Sequence, residues 1–168
     1  MVKAMATSSL VSLDLPDSGA TRALAGRIAL KARPGDIIAL RGALGTGKTM
    51  FARAFIEAFA RHAGAPPPAE IPSPTYTLVQ FYELGENTIY HFDLYRVESP
   101  LEAFELGIED AFADGISLIE WPDRLGRLLP DGHLDIELSD GPNENARLAH
   151  ITGDGAWPGR VGEIFRNG

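Results

Sequence analysis

Residues 42–49 read Gly-Ala-Leu-Gly-Thr-Gly-Lys-Thr, which is the G-x-x-x-x-G-K-T pattern of a loop that holds phosphate groups. The mainly apolar residues 36–41 before it predict a short buried strand, and residues 50–60 after it predict a helix. Strand, glycine loop and helix in this order form the context in which the pattern makes a binding site. A glycine-rich turn that matches the pattern by chance is therefore the weaker interpretation.

The residues of this loop have distinct expected roles. Gly42, Gly45 and Gly47 leave room for backbone N–H groups to turn inward on a phosphate, and the N-terminus of the following helix adds partial positive charge. Lys48 is placed to reach the β- and γ-phosphates of a nucleotide, and the Thr49 hydroxyl is placed to bind Mg²⁺. The sequence therefore predicts a nucleotide site at this loop.

Composition limits the other functions that the chain can have. Its 168 residues predict one domain, with residues 1–8 as an N-terminal extension and residues 154–168 as a glycine-rich tail. The net charge of −8 argues against a basic surface that binds nucleic acid directly, so an action on RNA would go through a partner protein. The chain has no cysteine and no run of about 18 apolar residues, so we expect a cytoplasmic protein without disulfides or a membrane span.

The remaining pattern predicts alternating strands and helices. Asp17 or Ser18 is expected to cap a helix that ends near Arg33. Five prolines exclude helix and central strand from the stretch 64–74, which is predicted to be a loop. An antiparallel hairpin is expected over residues 77–83 and 88–95, a buried strand over 116–119, and two edge strands over 134–138 and 147–152.

Two carboxylates are candidates for the acid that holds a metal ion and orients water in this class of site. Glu120 follows an apolar run and lies at a strand end; the competing interpretation is a carboxylate that simply reaches solvent. Period two places Asp93 on one strand face with His91 and Tyr95, and that face is either functional or an ordinary solvated one. If Asp93 is buried, His91 and Arg96 are the expected partners. His91 itself is interpreted as a structural hydrogen-bonding residue.

Two further side chains are candidates near the site. Thr75 ends the proline-rich loop, where nucleotide switches present a hydroxyl to the metal ion or the γ-phosphate; the alternative is a rigid turn without a ligand contact. Trp121 directly follows Glu120, so it is a wall of the site, a partner contact or part of the core, and the pattern does not separate these possibilities.

Four blocks together resemble the TsaE (YjeE) family, the small bacterial ATPases required for threonylcarbamoyl modification of the adenosine beside the anticodon in tRNA. They are Gly-Ala-Leu-Gly-Thr-Gly-Lys-Thr at 42–49, Ser-Pro-Thr-Tyr-Thr-Leu-Val at 73–79, Tyr-His-Phe-Asp-Leu-Tyr-Arg at 90–96 and Ile-Glu-Trp-Pro at 119–122. The likeness covers roughly residues 13–152. The proline-rich loop and the stretch after Gly153 depart from the family pattern.

The resemblance implies an α/β fold of the P-loop type, with a mostly parallel central sheet, an antiparallel hairpin and helices on both faces. It also implies ATP or ADP with Mg²⁺. Thr49 and Glu120 would bind the metal, Asp93 would be an activity-critical acid, and Trp121 would border the site. The nucleotide would contact Asp17 and Asp123 and, in the loop, Gly45, Thr46, Gly47, Lys48, Thr49 and Met50.

Family members act with the paired subunits TsaD and TsaB, so the resemblance implies that pair as partner, with tRNA reached only through the complex. The chain by itself is expected to be a monomer that hydrolyses ATP without transferring the threonylcarbamoyl group. A stand-alone kinase would need a lid rich in arginine, and a GTPase would need an N-K-x-D motif after the D-x-x-G at 123–126; neither is present. The alternatives that stay open are a stand-alone small-molecule kinase, which the missing lid disfavours, and a nucleotide-gated binding module without significant turnover.

Overall fold

The computed structural model describes residues 8–166, so all but the last residue of the predicted extension over 1–8 lies outside the described part. The strands are β1 (Ser8–Leu15), β2 (Ile37–Arg41), β3 (Val79–Leu84), β4 (Asn87–Asp93), β5 (Ile116–Glu120), β6 (Leu134–Asp140) and β7 (Arg147–Gly153). The helices are α1 (Ser18–Ala29), α2 (Lys48–His62), α3 (Pro100–Glu105), α4 (Ile108–Asp114) and α5 (Trp157–Arg166), with a 3₁₀ segment at Pro122–Leu128.

All seven strands form one mixed sheet in the order β1-β7-β6-β2-β5-β4-β3. The four strands β6, β2, β5 and β4 are parallel to one another. β3 joins β4 as the predicted antiparallel hairpin, and β7 and β1 extend the other side of the sheet in antiparallel pairs. The parallel strands therefore form the centre, and antiparallel strands extend it on both sides.

The prediction that β6 and β7 are edge strands is wrong, because both lie inside the sheet and the edges are β1 and β3. Their alternation of apolar and polar residues has another cause. Leu134, Ile136 and Leu138 are buried on one face of β6, whereas Glu137 and Ser139 on the other face are exposed or line an open cleft. A strand with one covered and one open face alternates in the same way as an edge strand.

Helices cover both faces of the central strands, as expected. Ile38 and Leu118 point into a core shared with α1, α2 and α5, while their neighbours Ile37 and Ile119 point into a second core with α3 and α4. The two cores lie on opposite faces because successive residues of a strand alternate. The chain therefore presents the ends of its parallel strands between two helical layers.

The start of α1 follows from its cap. The Asp17 carboxylate accepts a hydrogen bond from the Ala20 N–H at 2.8 Å, which satisfies one of the free donors of the first turn. The helix ends at Ala29, one turn earlier than predicted, because the N–H groups of Lys31 and Ala32 donate three residues back, to the carbonyls of Ile28 and Ala29.

The expectation of a tail over residues 154–168 fails for the helix α5. Trp157 is 1% exposed and, with Val161 and Ile164, packs on the core beside α1. These three residues follow helical spacing, but two glycines between them hid the period in the sequence. The Arg27 guanidinium also donates to the Ile164 carbonyl at 2.5 Å, so α5 is part of the domain.

Candidate phosphate and metal site

The loop between β2 and α2 has the backbone that its glycines predict. Gly42, Gly45 and Gly47 have φ values of 143°, 79° and 97°. A Cβ on Gly42 would lie 2.4 Å from the backbone oxygen of Leu138, so only glycine fits there. Around Gly45, by contrast, nothing lies within 4 Å of such a Cβ, so this position borders open space. The loop therefore forms a concave cradle at the N-terminus of α2, which suits an anion.

A cleft of about 410 Å³ lies beside this loop, and we call it the phosphate cleft. It gathers residues from the loop, the ends of β4 and β5 and the proline-rich segment. Nine of its lining residues are candidates from the sequence: Gly45, Gly47, Lys48, Thr49, Met50, Thr75, Asp93, Glu120 and Trp121. Residues separated by more than 70 positions in the chain thus meet in one cavity.

Glu120 lies at the centre of a buried hydrogen-bond network. It is 3% exposed, so the interpretation as a carboxylate that reaches solvent is wrong. The Thr49 hydroxyl donates to its two oxygens at 2.9 and 3.1 Å, and His91 Nε2 lies 2.7 Å from its Oε2. The acid is therefore held between the start of α2 and the neighbouring strand β4.

Asp93 lies beside Glu120 because the parallel pairing of β4 and β5 places the two residues opposite each other. It is 6% exposed, so its face of the strand is not solvated. Its Oδ1 accepts from the Tyr95 N–H at 3.0 Å, and its Oδ2 accepts from the Thr75 hydroxyl at 3.4 Å. The expected partners are wrong: His91 binds Glu120 and not Asp93.

The guanidinium of Arg96 does not bind Asp93 either. It stacks over the exposed ring of Tyr76, 4.4 Å from the ring centroid, and it also lines the phosphate cleft. Thr75, next to Tyr76, shares a 2.7 Å hydrogen bond with the Ser73 hydroxyl. The end of the proline-rich loop therefore reaches the cleft through Thr75, as the switch interpretation requires.

The Lys48 ammonium is folded back on the loop that precedes it. It donates to the carbonyls of Gly42 and Ala43 at 2.7 and 2.8 Å and lies 4.5 Å from the centroid of the Trp121 ring. Burial lowers the pKa of Lys48, and the carboxylates of Glu120 and Asp93 partly oppose that shift. The cation and the two acids therefore share one poorly solvated cavity.

Trp121 lines the phosphate cleft and also packs against the second core, so the structure places it at a wall of the cleft and at the edge of the core. Its backbone is left-handed, with φ 60° and ψ 53°, a conformation that costs a non-glycine residue roughly 1–2 kcal/mol. Its ring packs on Tyr95 with centroids 4.9 Å apart and over Lys48. Strained backbone of this kind is concentrated at functional sites.

A second cleft, of about 530 Å³, lies on the other side of Trp121 and is lined by Gly42, Thr46 and Asp123 among others. Asp123 forms an ion pair with Arg41, whose Nε also donates to Asp135 at 2.5 Å. Asp17 lines neither of these two clefts, and its carboxylate caps α1 instead. The structure thus brings all the candidate site residues together except Asp17.

The sequence did not indicate two residues that hold parts of the site in place, Arg147 and Arg41. Arg147 on β7 donates from Nε to the Thr46 carbonyl at 3.0 Å and from Nη2 to the Gly45 carbonyl at 3.2 Å, so it holds the loop from outside. Arg41 orients Asp123. Neither stands out in the sequence, because both contacts depend on how distant strands pair.

The donor atoms at Glu120 fit a magnesium ion. Thr49 and Glu120 present oxygens, and Asp93 adds a second carboxylate to the same cleft. Within residues 8–166, no group of three or more His, Cys, Asp and Glu side chains is arranged to hold a metal ion. Mg²⁺ is bound through one or two protein oxygens, substrate phosphates and water, so it does not need such a group.

The glycine cradle, the lysine behind it and the acid at the end of the adjacent strand define a P-loop type α/β domain. The family model described as threonylcarbamoyl adenosine biosynthesis protein TsaE matches residues 15–148 of the chain. A TsaE protein of Rickettsia felis is 40% identical over 131 residues, covering 78% of this chain and 73% of its own. That of Bacillus subtilis is 37% identical over 119 residues, covering 70% of each chain.

The chain therefore belongs to the TsaE family. The crystal structure of Bacillus subtilis YdiB superposes with a TM-score of 0.74 at 26% identity, covering 98% of this chain and 99% of that one. This likeness confirms the predicted fold class. In the part of the chain that the structure describes, no helix is both long and apolar enough to cross a membrane.

Proposed function

We propose that this protein is a Mg²⁺-dependent ATPase in the threonylcarbamoyl modification of the tRNA adenosine beside the anticodon. It binds the TsaD–TsaB pair and hydrolyses ATP to ADP to support the turnover of that pair. The convergence of Lys48, Thr49, Asp93 and Glu120 on one cleft at the glycine loop carries this proposal. Membership of the TsaE family supports the pathway, since the family model and the relatives are named for this modification.

The glycine loop would hold the phosphates of the nucleotide. Backbone N–H groups of Gly45–Met50 would bind the phosphates, and Lys48 would exchange its contacts with the carbonyls of Gly42 and Ala43 for phosphate oxygens. This exchange is favourable because an ammonium bonds an anionic oxygen more strongly than a carbonyl. Trp121 covers Lys48 and would keep water away from the reacting phosphate.

Thr49 and Glu120 would hold Mg²⁺, which when bound neutralises charge on the phosphates and polarises them. Glu120 contributes the negative charge and Thr49 the hydroxyl that already contacts it. Asp93 faces the same cleft and would accept a hydrogen bond from the attacking water. The Thr75 hydroxyl, which donates a hydrogen bond to Asp93, would change its contacts according to whether the γ-phosphate is present.

The nucleoside would occupy the second cleft, which continues from the loop at Gly42 and Thr46. There, Asp123 is an acceptor for sugar or base hydrogen-bond donors, and its ion pair with Arg41 keeps the carboxylate in place. The net charge of −8 supports a role in which tRNA is contacted by the partner proteins. The transfer of the threonylcarbamoyl group is likewise assigned to the partner pair.

Phosphate release by the purified chain tests the proposal, measured alone and with TsaD–TsaB, in Mg²⁺ and in EDTA. We expect Mg²⁺-dependent release that the pair stimulates. ATP binding without release, even with the pair, would make the protein a nucleotide-gated binding module. Loss of ATP only when a small-molecule acceptor is added would make it a kinase instead.

A further inference from the structure

We infer that His91 is a positioning residue that aims the Glu120 carboxylate at the metal position beside Thr49. The inference rests on the proposed ATPase function and extends it to a residue outside the nucleotide-binding and metal-binding set. His91 is fully buried, and its Nε2 is 2.7 Å from Glu120 Oε2. It does not line the phosphate cleft, so any effect on the reaction acts through Glu120.

The positions of the donors explain why Glu120 needs His91. Oε2 receives hydrogen bonds from both the Thr49 hydroxyl and the imidazole, whereas the Thr49 hydroxyl is the single donor to Oε1 among the described residues. Two donors on Oε2 fix the rotation of the carboxylate, and Oε1, with its one donor, keeps a lone pair for a metal ion. Without His91, the carboxylate would be held by one hydroxyl alone and could turn about its last bond.

The chemistry around the ring sets its tautomer. A carboxylate only accepts hydrogen bonds, so the proton in the short contact belongs to Nε2. The other ring nitrogen, Nδ1, is buried and has no hydrogen-bond partner within the described residues 8–166. The hydrogen bond of the ring therefore runs from Nε2–H to Glu120, and Nδ1 takes no part in it.

The unpartnered Nδ1 also argues for a functional role. A buried polar atom without a partner costs stability, and an aliphatic side chain at this position of β4 would avoid that cost. On β4, His91 lies between the core residue Ile89 and Asp93 on the same face, and its Nε2 reaches Glu120. Side chains behind metal ligands orient them, and their loss weakens metal binding about 10–100-fold.

Two amide variants test this inference with a matched pair. The amide nitrogen of glutamine reaches the position of Nε2, whereas asparagine is one methylene shorter and does not reach Glu120. We expect His91→Gln to keep the Mg²⁺ affinity of the ADP-saturated protein, measured by calorimetry, and His91→Asn to lose about tenfold or more. ADP affinity in EDTA should be the same in both variants, because a merely structural defect would lower it together with the Mg²⁺ affinity.

Equal Mg²⁺ affinity in wild type and His91→Asn would overturn the inference while leaving the ATPase proposal intact. A wild-type protein that binds neither ADP nor Mg²⁺·ADP would overturn the proposed function and the inference with it. Nitrogen-15 NMR of the wild-type histidines gives an answer even if an amide variant fails to fold. A proton on Nε2 of His91 that is hydrogen-bonded to Glu120 supports the inference, and a ring without a proton on Nε2 contradicts it.

Discussion

The Gly42→Ala substitution tests whether the loop geometry is required, because two separate costs follow from the structure. The φ of 143° is a region that side chains avoid, at a cost of roughly 1–3 kcal/mol. The added Cβ would lie 2.4 Å from the Leu138 carbonyl oxygen, and that backbone belongs to the interior strand β6, so it cannot move aside. Overpacking of this kind costs roughly 1–3 kcal/mol more.

We therefore expect Gly42→Ala to lower the free energy of unfolding by roughly 2–6 kcal/mol, out of a total of roughly 5–15 kcal/mol for a domain. Gly45→Ala is the matched control in the same loop. Its φ of 79° brings backbone strain of roughly 1–2 kcal/mol, but nothing lies within 4 Å of the new Cβ. Urea denaturation followed by circular dichroism measures both. Equal losses in the two variants would refute the steric argument and leave only the backbone strain.

Four further predictions follow from the side chains. Lys48→Ala should weaken ATP binding at least about tenfold without unfolding the protein, since one charge-assisted hydrogen bond is worth about 1.5–3 kcal/mol; unchanged affinity by calorimetry would remove Lys48 from the site. Glu120→Gln should keep some nucleotide affinity but lose most Mg²⁺-dependent phosphate release; release at the wild-type rate would assign the acid role to Asp93 alone. In the wild type, the amides of the loop 64–75 should exchange faster in the ADP state than in the state with a non-hydrolysable ATP analogue plus TsaD–TsaB. Thr75→Ala should make this difference in exchange rate smaller while leaving ADP affinity nearly intact. Equal exchange in the two states of the wild type would make the loop a passive connector. The hydrogen bond to Asp135 raises the pKa of His133 above its ordinary value of 6.5. The contribution of this shift to the free energy of unfolding is therefore fully present below pH 6.5 and is lost as the pH rises through the higher pKa of the folded state. His133→Gln should flatten this part of the plot of unfolding free energy against pH, and an unchanged plot would contradict the prediction.

The phosphate loop was predictable because its information is local. The eight residues that form the cradle, the strand before it and the helix after it are contiguous, and a glycine that is required at φ 143° is visible as a glycine in the sequence. Strand-end acids are visible in the same way, since Glu120 follows an apolar run. The structure places Lys48, Thr49, Asp93 and Glu120 together as these patterns indicated.

The partners of the acids were not predictable, because they depend on strand register. Period two shows that His91 and Asp93 share a face, but it does not show that β5 lies alongside with Glu120 opposite Asp93. That register gives Glu120, and not Asp93, to His91. Composition also hid α5, since glycine lowers helix propensity by about 1 kcal/mol per residue and burial of Trp157 outweighs it.

The features of the candidate site that lower the stability of the fold lie at one end of the parallel strands. Asp93 and Glu120 are adjacent and buried, Lys48 is held against backbone carbonyls, and Trp121 has a left-handed backbone. Two buried like charges repel each other, and each of these features would be replaced if stability alone determined the sequence. These unfavourable features lie beside the glycine cradle, where a cation and a phosphate would bind. A bound cation would offset the repulsion between the two carboxylates, and a bound phosphate would give Lys48 an anionic partner.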